Sequence, residues 1–440
     1  MMETMVTPSS LSFSLKQSSP QFGYVTITIP GLFVEKLYAQ ASQEQKLGSH
    51  VYGFSRGDAP ISYIEQNFQP HLLEHVKEFF FKYFVIQCLY KELQEKKIFF
   101  AEEPRLTDIV VAPHQDATFT FSLTLAQPIL LQGWKRLPFK APKRKNYKDL
   151  DRQVDNFLKE EHDILKKAVP SNIAVGDWIN FTVCLLGKDL QPLLDHVTEE
   201  LWLKIGGEEI DSSFQSLFVG KKTGDVFVTN HLSLQEYFST HLDTHYQFII
   251  SIVDHLSSSY FCMDYFKKHF RIKNVKEVHQ KCIEVFSYRN DISQRRATSE
   301  DALKLLLSKH NLTIPSHLVL RQEKAILEMI HAQPDYNVYK VQSDFREKIR
   351  MLAEKQLKEH LVIQQLSFFE DIQVTNEDIK GYLNLLNRAR TSEFIYFQPP
   401  TTRFMGKEAP ISAAIMAQCC LREKTLNHAI YHFTKQKQRS

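Results

Sequence analysis

The 440 residues of the chain exceed the roughly 250–300 at which one hydrophobic core stops growing, which excludes a single compact domain and favours about two to four. Hydrophobic residues make up 43% and charged residues 24%, the balance of a soluble globular protein and not of a disordered chain. With 54 Lys and Arg against 51 Asp and Glu the net charge is +3, so the chain is no polycation and any nucleic-acid contact has to be local.

Six scattered cysteines without a C-x-x-C spacing read as reduced thiols, and with no secretory pattern over Met1 to Phe22 the expected location is the cytoplasm. No window approaches about 18 uncharged apolar residues, so membrane insertion is not expected. Fourteen glycines, where average usage gives about 30, predict many helices and few tight turns.

In chain order, residues 24–29 (Tyr-Val-Thr-Ile-Thr-Ile) alternate as a half-buried strand, and a helix over Leu32 to Gln45 follows Pro30-Gly31. A Gly- and Pro-bounded loop, Gly53 to Pro60, precedes the Gly-free segment Ile61 to Lys97, read as one or two helices. Ala117 to Leu125 alternates strictly and closes a small α+β domain near residue 130. Seven basic residues and no acids between Lys135 and Lys148 form a linker-like stretch. A charged helix spans Asp149 to Val169. Strands at Asp177 to Leu186, Leu201 to Ile205, Asp225 to Thr229 and Tyr246 to Val253 outline a strand-rich unit.

Beyond residue 255 the pattern is helical. Ser316 to Ala332 forms one helix after Pro315; Phe345, Ile349, Leu352 and Leu361 mark a face of a second. Thr375 and Asp378 make an acidic capping box ahead of Ile379, Tyr382, Leu383 and Leu386. The fold class is multi-domain α+β: a small α+β domain, a β-rich domain, and an all-α C-terminal domain with long helices.

The loop Gly53-Phe54-Ser55-Arg56-Gly57-Asp58-Ala59-Pro60 resembles the ribosome-docking signature of the trigger factor family, Gly-Phe-Arg-x-Gly-x-x-Pro. The resemblance continues in order through the strand Val25 to Ile29, Phe119 to Leu125 with Pro128, Leu312 to Glu323, and Arg346 to Ala389 with its helix start Val374 to Ile379. It marks the chain as a divergent bacterial member. Residues 1–132 would then be a ribosome-docking domain and 133–170 a linker with a charged helix. Residues 171–255 would be a peptidyl-prolyl isomerase-like domain of FKBP type, and 256–440 a helical chaperone domain with arms. The resemblance implies the docking domain at one end, the isomerase-like domain at the other, and the arms as a cradle between, crossed by the linker.

The family resemblance further implies an ATP-independent chaperone that docks on the large ribosomal subunit near the exit tunnel, touching protein and rRNA. It would shield nascent polypeptides and assist folding and export, without a cofactor or metal. Gly53, Phe54, Ser55, Arg56 and Gly57 are the ribosome-binding candidates, two glycines bracketing a tip that presents an aromatic ring beside a cation. Ser55 replaces the family's basic residue and Asp58 its common Lys, one cation lost and an anion gained.

Phe181, Ile210, Asp211 and Phe214 are the isomerase-pocket candidates, with Leu190 to Leu194 as a further wall. Such a pocket lowers a barrier of about 18–20 kcal/mol with an apolar, aromatic lining, and Asp211 would place there a carboxylate that resists desolvation. Two readings stay open: an active isomerase, or a domain kept as a peptide-binding or spacer module. Phe394, Tyr396, Phe397 and Phe404 are client-binding candidates on a Pro-interrupted segment, with a core role equally compatible. A ribosome-independent holdase or assembly chaperone is the alternative function, and apolar unoccupied surfaces leave a homodimer open.

Three further motifs are weaker. Gly220-Lys221-Lys222-Thr223 lacks the first glycine and the Ser or Thr of a phosphate loop. His241 and His245 have helical zinc spacing but no third ligand. The basic stretch is read as a solvated linker in preference to an RNA track.

Overall fold

The computed structural model describes residues 11–126, 128–144, 149–165, 172–195, 197–206, 214–289, 291–310, 312–331, 336–404 and 407–435. The N-terminal unit is a four-stranded antiparallel sheet in the order β1-β2-β4-β3, with β1 at Ser12–Ser19, β2 at Phe22–Ile29, β3 at Arg105–Val110 and β4 at Ala117–Thr124. Val25, Ile27 and Ile29 of β2 and Phe119, Phe121 and Leu123 of β4 turn to one face and are buried. That alternation is what the period of two demands of a half-covered sheet.

Helices cover this face: α1 (Gly31–Gly48), α2 (Ile61–Asn67), α3 (Gln69–Phe80) and α4 (Ile86–Glu95). A π-helical turn at Phe81–Val85 joins α3 to α4, so the segment from Gln69 to Glu95 is one rod with a single bulge. The outer strands β1 and β3 escape sequence reading because both are sheet edges and mostly exposed.

The linker crosses the helical body. Gly133, at φ +75°, starts a short turn at Trp134–Arg136, and Trp134 and Phe139 are buried. Lys135 is paired with Glu370 at 2.6 Å. The expected solvated, extended stretch is therefore corrected here: Trp134 and Phe139 pack while Arg136, Lys140 and Lys143 stay exposed. Helix α5 (Leu150–Leu165) continues the crossing, with Phe157 edge-on to Phe261 and Phe286 at 5.9 and 5.7 Å between centroids.

In the middle unit, β5 (Trp178–Leu186), β6 (Glu199–Lys204), β7 (Val226–Thr229) and β8 (Gln247–Leu256) form an antiparallel sheet, with α6 (Gln215–Phe218) and α7 (Leu232–Phe238) beside it. Along β5 the side chains divide by parity. Ile179, Phe181, Val183 and Leu185 join the core shared with the N-terminal unit, whereas Trp178, with Trp202 of β6, joins the helical core on the opposite face.

The helical unit comprises α8 (Met263–Phe270), α9 (Val275–Phe286), α10 (Gln294–Ser308), α11 (Ser316–His331), α12 (Tyr336–Tyr339), α13 (Phe345–Phe369), α14 (Asn376–Leu386), α15 (Ala389–Ser392) and α16 (Ala413–Lys435). The capping box expected at α14 is formed. Asp378 N donates to Thr375 Oγ1 at 3.3 Å and Thr375 N donates to Asp378 Oδ2 at 2.9 Å, satisfying two otherwise orphaned helix-end donors.

Among the described residues five short strands interrupt the all-α expectation. β9 (Tyr288–Arg289) pairs with β10 (Ile292–Ser293), and β11 (Arg403–Phe404) with β12 (Lys407–Glu408). β13 (Ile411–Ser412) pairs with β6 and makes the middle sheet five-stranded, in the order β13-β6-β5-β8-β7.

The two sheet units do not stand at opposite ends, as the resemblance implied. They share one continuous hydrophobic core, because the rod through α3 carries aromatic residues on more than one face. The middle sheet thus lies between the N-terminal unit and the helical unit.

Candidate functional site

Two surfaces stand out, a loop at one edge of the N-terminal unit and a helical hairpin. The loop follows the end of α1 as a pair of turns. Phe54 N donates to Val51 O at 3.1 Å and Asp58 N to Ser55 O at 3.0 Å, and the third residue of each turn is a glycine, Gly53 and Gly57, both at φ +84°. Only glycine occupies that region without strain, which is why both positions carry it. Buried Val51 and Ala59 pin the ends of the loop, and Pro60 starts α2.

Between these anchors the tip is presented to solvent. Phe54 is 40% exposed, its ring resting on Tyr63 at 5.3 Å, and Ser55, Arg56 and Asp58 are exposed. The Arg56 Nε donates to the Leu47 carbonyl at 3.0 Å, which fixes the guanidinium beside the end of α1. Sequence reasoning missed Tyr52, wholly exposed, and Leu47, 57% exposed. Tyr52 directly precedes Gly53, and an aromatic next to a turn glycine was the available signal. The tip can stack a ring and contact a phosphate, and it carries an anion, Asp58, in the same eight residues.

The hairpin is built from α11 and α13. Leu318, Val319 and Ile326 of α11 meet Ile349, Ala353, Leu357 and Leu361 of α13 in a narrow core, the α13 residues lying at i, i+4, i+8 and i+12. Leu352, expected on this face, lies at its edge and is exposed. The remaining apolar residues have no place in so thin a core. Leu320, Met329, Val338, Val341 and Met351 are 63–76% exposed, apolar side chains of the kind that protein contacts can use. Met is well suited to such a surface, being unbranched and polarizable.

The base of the hairpin is fastened to the N-terminal unit by Phe22 stacked on His317 at 5.6 Å and by Arg321 Nε to Glu102 at 2.8 Å.

The client-binding candidates fall elsewhere. Phe394 and Phe397 are buried, Phe394 against Phe266 and Phe270 at 5.4 and 4.9 Å. The Tyr396 hydroxyl donates to Glu359 Oε2 at 3.1 Å. Phe404 is in β11, with its side chain outside the description. The expected lining is therefore core at Phe394 and Phe397, since the Pro-interrupted segment folds back onto α16.

Two of the isomerase-pocket candidates are packed in the core. Phe181 and Phe214 are buried with Phe218, whose ring lies 4.7 Å from Phe181 and 6.3 Å from Phe214. Ile210 and Asp211 lie outside the described residues. Asp177, at the start of β5, accepts from His255, Ser258 and Ala174. Burial works to raise its pKa, and these hydrogen bonds outweigh burial and hold it below the usual value.

His241 stands 3.7 Å from Glu78, and among the described residues no group of three His, Cys, Asp or Glu is placed to hold a metal ion. Among them, too, no helix is long and apolar enough to cross a membrane.

The body is α+β, and its α11–α13 hairpin leaves Leu320, Met329, Val338, Val341 and Met351 largely exposed. Residues 11–160 match the family described as bacterial trigger factor protein, and residues 274–393 the family described as its C-terminus, together well over half of the chain. The chain belongs to the trigger factor family of chaperones.

It is 21% identical over 366 residues to the trigger factor of Halothermothrix orenii, covering 79% of this chain and 83% of that one. It is 20% identical over 367 residues to that of Geotalea uraniireducens, covering 79% and 80%. A solved structure titled "Promiscuous Substrate Recognition in Folding and Assembly Activities of the Trigger Factor Chaperone" aligns over 95% of this chain and 99% of its own, at 14% identity and a TM-score of 0.35.

Proposed function

We propose that this chain is an ATP-independent, cytoplasmic chaperone that docks through residues 53–57 at the exit site of the large ribosomal subunit and shields new polypeptides with the α11–α13 hairpin. The assignment of docking to residues 1–132 and of holding to the helices beyond 255 belongs to the same proposal. The observation that carries it is the double turn with both glycines left-handed, which holds Phe54 and Arg56 at the tip of an otherwise packed unit. The hairpin supplies the second half of the function. Apolar contacts of about 25 cal/mol per Å², spread over several exposed side chains, hold an unfolded segment weakly at each point and firmly in sum, and release it without a nucleotide.

The ribosome-independent holdase keeps support from Ser55 and Asp58. An exposed carboxylate beside the tip opposes phosphate contact, whereas the hairpin is unaffected by it.

The holding function is tested by light scattering of a chemically denatured client diluted into the full chain without ATP. Replacing Met329, Val341 and Met351 together by Ser removes about 1 kcal/mol of apolar contact at each site. The concentration needed for half-maximal suppression is expected to rise about tenfold or more. Unchanged suppression would move the client surface off the hairpin.

A further inference from the structure

The rod through α3 and its π-turn carries two aromatic faces. Phe80 and Phe84 pack together at 5.6 Å between centroids, and Phe84 stacks on Phe33 of α1 at 5.9 Å. His75, Phe79 and Tyr83, spaced i, i+4 and i+8 on another face, all reach the middle unit. The Phe79 ring lies 5.1 Å from Phe238 and 5.9 Å from Tyr246, and Tyr83 lies 5.3 Å from Phe238.

The Tyr83 hydroxyl lies 2.8 Å from Val197 O and 3.2 Å from Val183 O, and accepts from Leu185 N at 3.0 Å. It therefore ties β5 to the segment entering β6, next to the Leu190 to Leu194 wall. His75 Nε2 lies 2.7 Å from the Tyr246 hydroxyl, and burial holds the imidazole neutral, its pKa lowered to about 4.

A polar rim closes the contact. Thr240 N donates to Glu78 Oε2 at 2.9 Å, His245 N to Glu44 Oε2 at 2.9 Å, and Lys36 Nζ pairs with Asp195 at 2.9 Å. Lys82 Nζ donates to Tyr237 O. Phe79, Tyr83, Tyr246 and Phe248 have no exposed surface and Phe238 almost none. An apolar centre with a bonded rim is the anatomy of a stable interface.

We infer that Phe79 and Tyr83 are the resident occupants of the apolar face that Phe238, Tyr246 and the β5 backbone of the middle unit present, so that the intact chain admits no prolyl peptide there and the two sheet units move as one body. A π-turn displaces the side chains that follow it relative to an uninterrupted α-helix, and such bulges recur at functional sites. Here it lies where Tyr83 reaches the backbone of β5. The inference does not depend on ribosome docking, because the contact is internal to the chain.

The test uses the full chain and a fluorescent tetrapeptide with a central Leu-Pro bond, with binding read by anisotropy and fold by circular dichroism. The wild type is expected to show no saturable binding, and the Phe79→Ala, Tyr83→Ala double variant to acquire it. Saturable binding by the wild type, or a folded double variant that gains none, overturns the inference.

Should that variant fail to fold, Tyr83→Phe keeps the ring and removes only the hydroxyl. Amide exchange at Leu185 is then expected to quicken roughly five- to tenfold, the loss of one hydrogen bond, with Ile179 at the far end of β5 unchanged. Exchange at Leu185 equal to the wild type would likewise overturn it.

Discussion

Replacing Arg295 by Ala is expected to destabilise the chain by about 3–5 kcal/mol, the cost of removing one partner of a buried ion pair. Arg295 and Glu423 are both essentially without exposed surface and stand 3.6 Å apart. The guanidinium donates to Asn427 Oδ1 and, at 3.4 Å, to the Phe394 carbonyl, and it lies over the Phe270 ring. Glu423 Oε2 accepts from Tyr396 N and Phe397 N at 2.9 and 3.1 Å, so the pair fastens the 394–397 segment to α16.

Burial already raises the Glu423 pKa against the pull of Arg295. Without Arg295 the folded state takes up a proton that the unfolded chain releases, so the deficit grows with rising pH and is smaller at pH 5 than at pH 7. Adding Glu423→Gln removes the stranded charge, and the double variant should recover part of the loss in equilibrium denaturation. A double variant no more stable than Arg295→Ala would show that the pair is not coupled.

The second large effect is expected at Trp134, where Trp134→Ala should cost about 3–5 kcal/mol, as for other buried large aromatics. Its ring meets His428, His432 and Phe433 of α16 at 5.5–6.0 Å, and its Nε1 donates to Glu370 Oε1 at 2.9 Å. Glu370 also accepts from Lys135 at 2.6 Å and lies 3.2 Å from His428 Nε2. One carboxylate thus gathers the linker, the end of α13 and α16. Trp134→Phe keeps most of the packing and loses the indole donor, so about 1–2 kcal/mol is expected. Equal denaturation midpoints for the Ala variant and the wild type would place the linker outside the cooperative body.

Local signals in the sequence were read correctly where the physics is local. The alternation in β2 and β4, the capping box of α14 and the 25 residues of α13 follow from periodicity and caps a few residues apart. The loop at Gly53 to Pro60 belongs to the same group, since turn glycines declare themselves. What escaped depends on partners distant in the chain. β13 adds a strand to the middle sheet from more than 200 positions beyond β6, and nothing in Ile411-Ser412 announces it. Phe394 and Phe397 read as surface or core with equal ease until Arg295 and Glu423 decide the matter.

The packing of the two sheet units did leave a trace. Phe79-Phe80-Phe81-Lys82-Tyr83-Phe84 places aromatic rings around more than one side of a helix, which a rod covered on a single face cannot bury. That run called for a second layer, and the middle sheet is that layer. On the hairpin the trace was the reverse: Met and Val residues in excess of what the Ile349, Ala353 and Leu357 stripe can cover.

The proposed docking role makes the loop the point of greatest leverage, and ribosome pelleting of the full chain over a range of salt concentrations tests it most directly. The account predicts that the wild type sediments with ribosomes at low salt and dissociates as salt rises. A Phe54→Ala, Arg56→Ala variant is expected to lose about tenfold or more in apparent affinity, and a Ser55→Arg, Asp58→Lys variant to bind more tightly with a steeper salt dependence. Pelleting that is the same for all three chains at every salt concentration would contradict it and leave the hairpin as the chain's working surface.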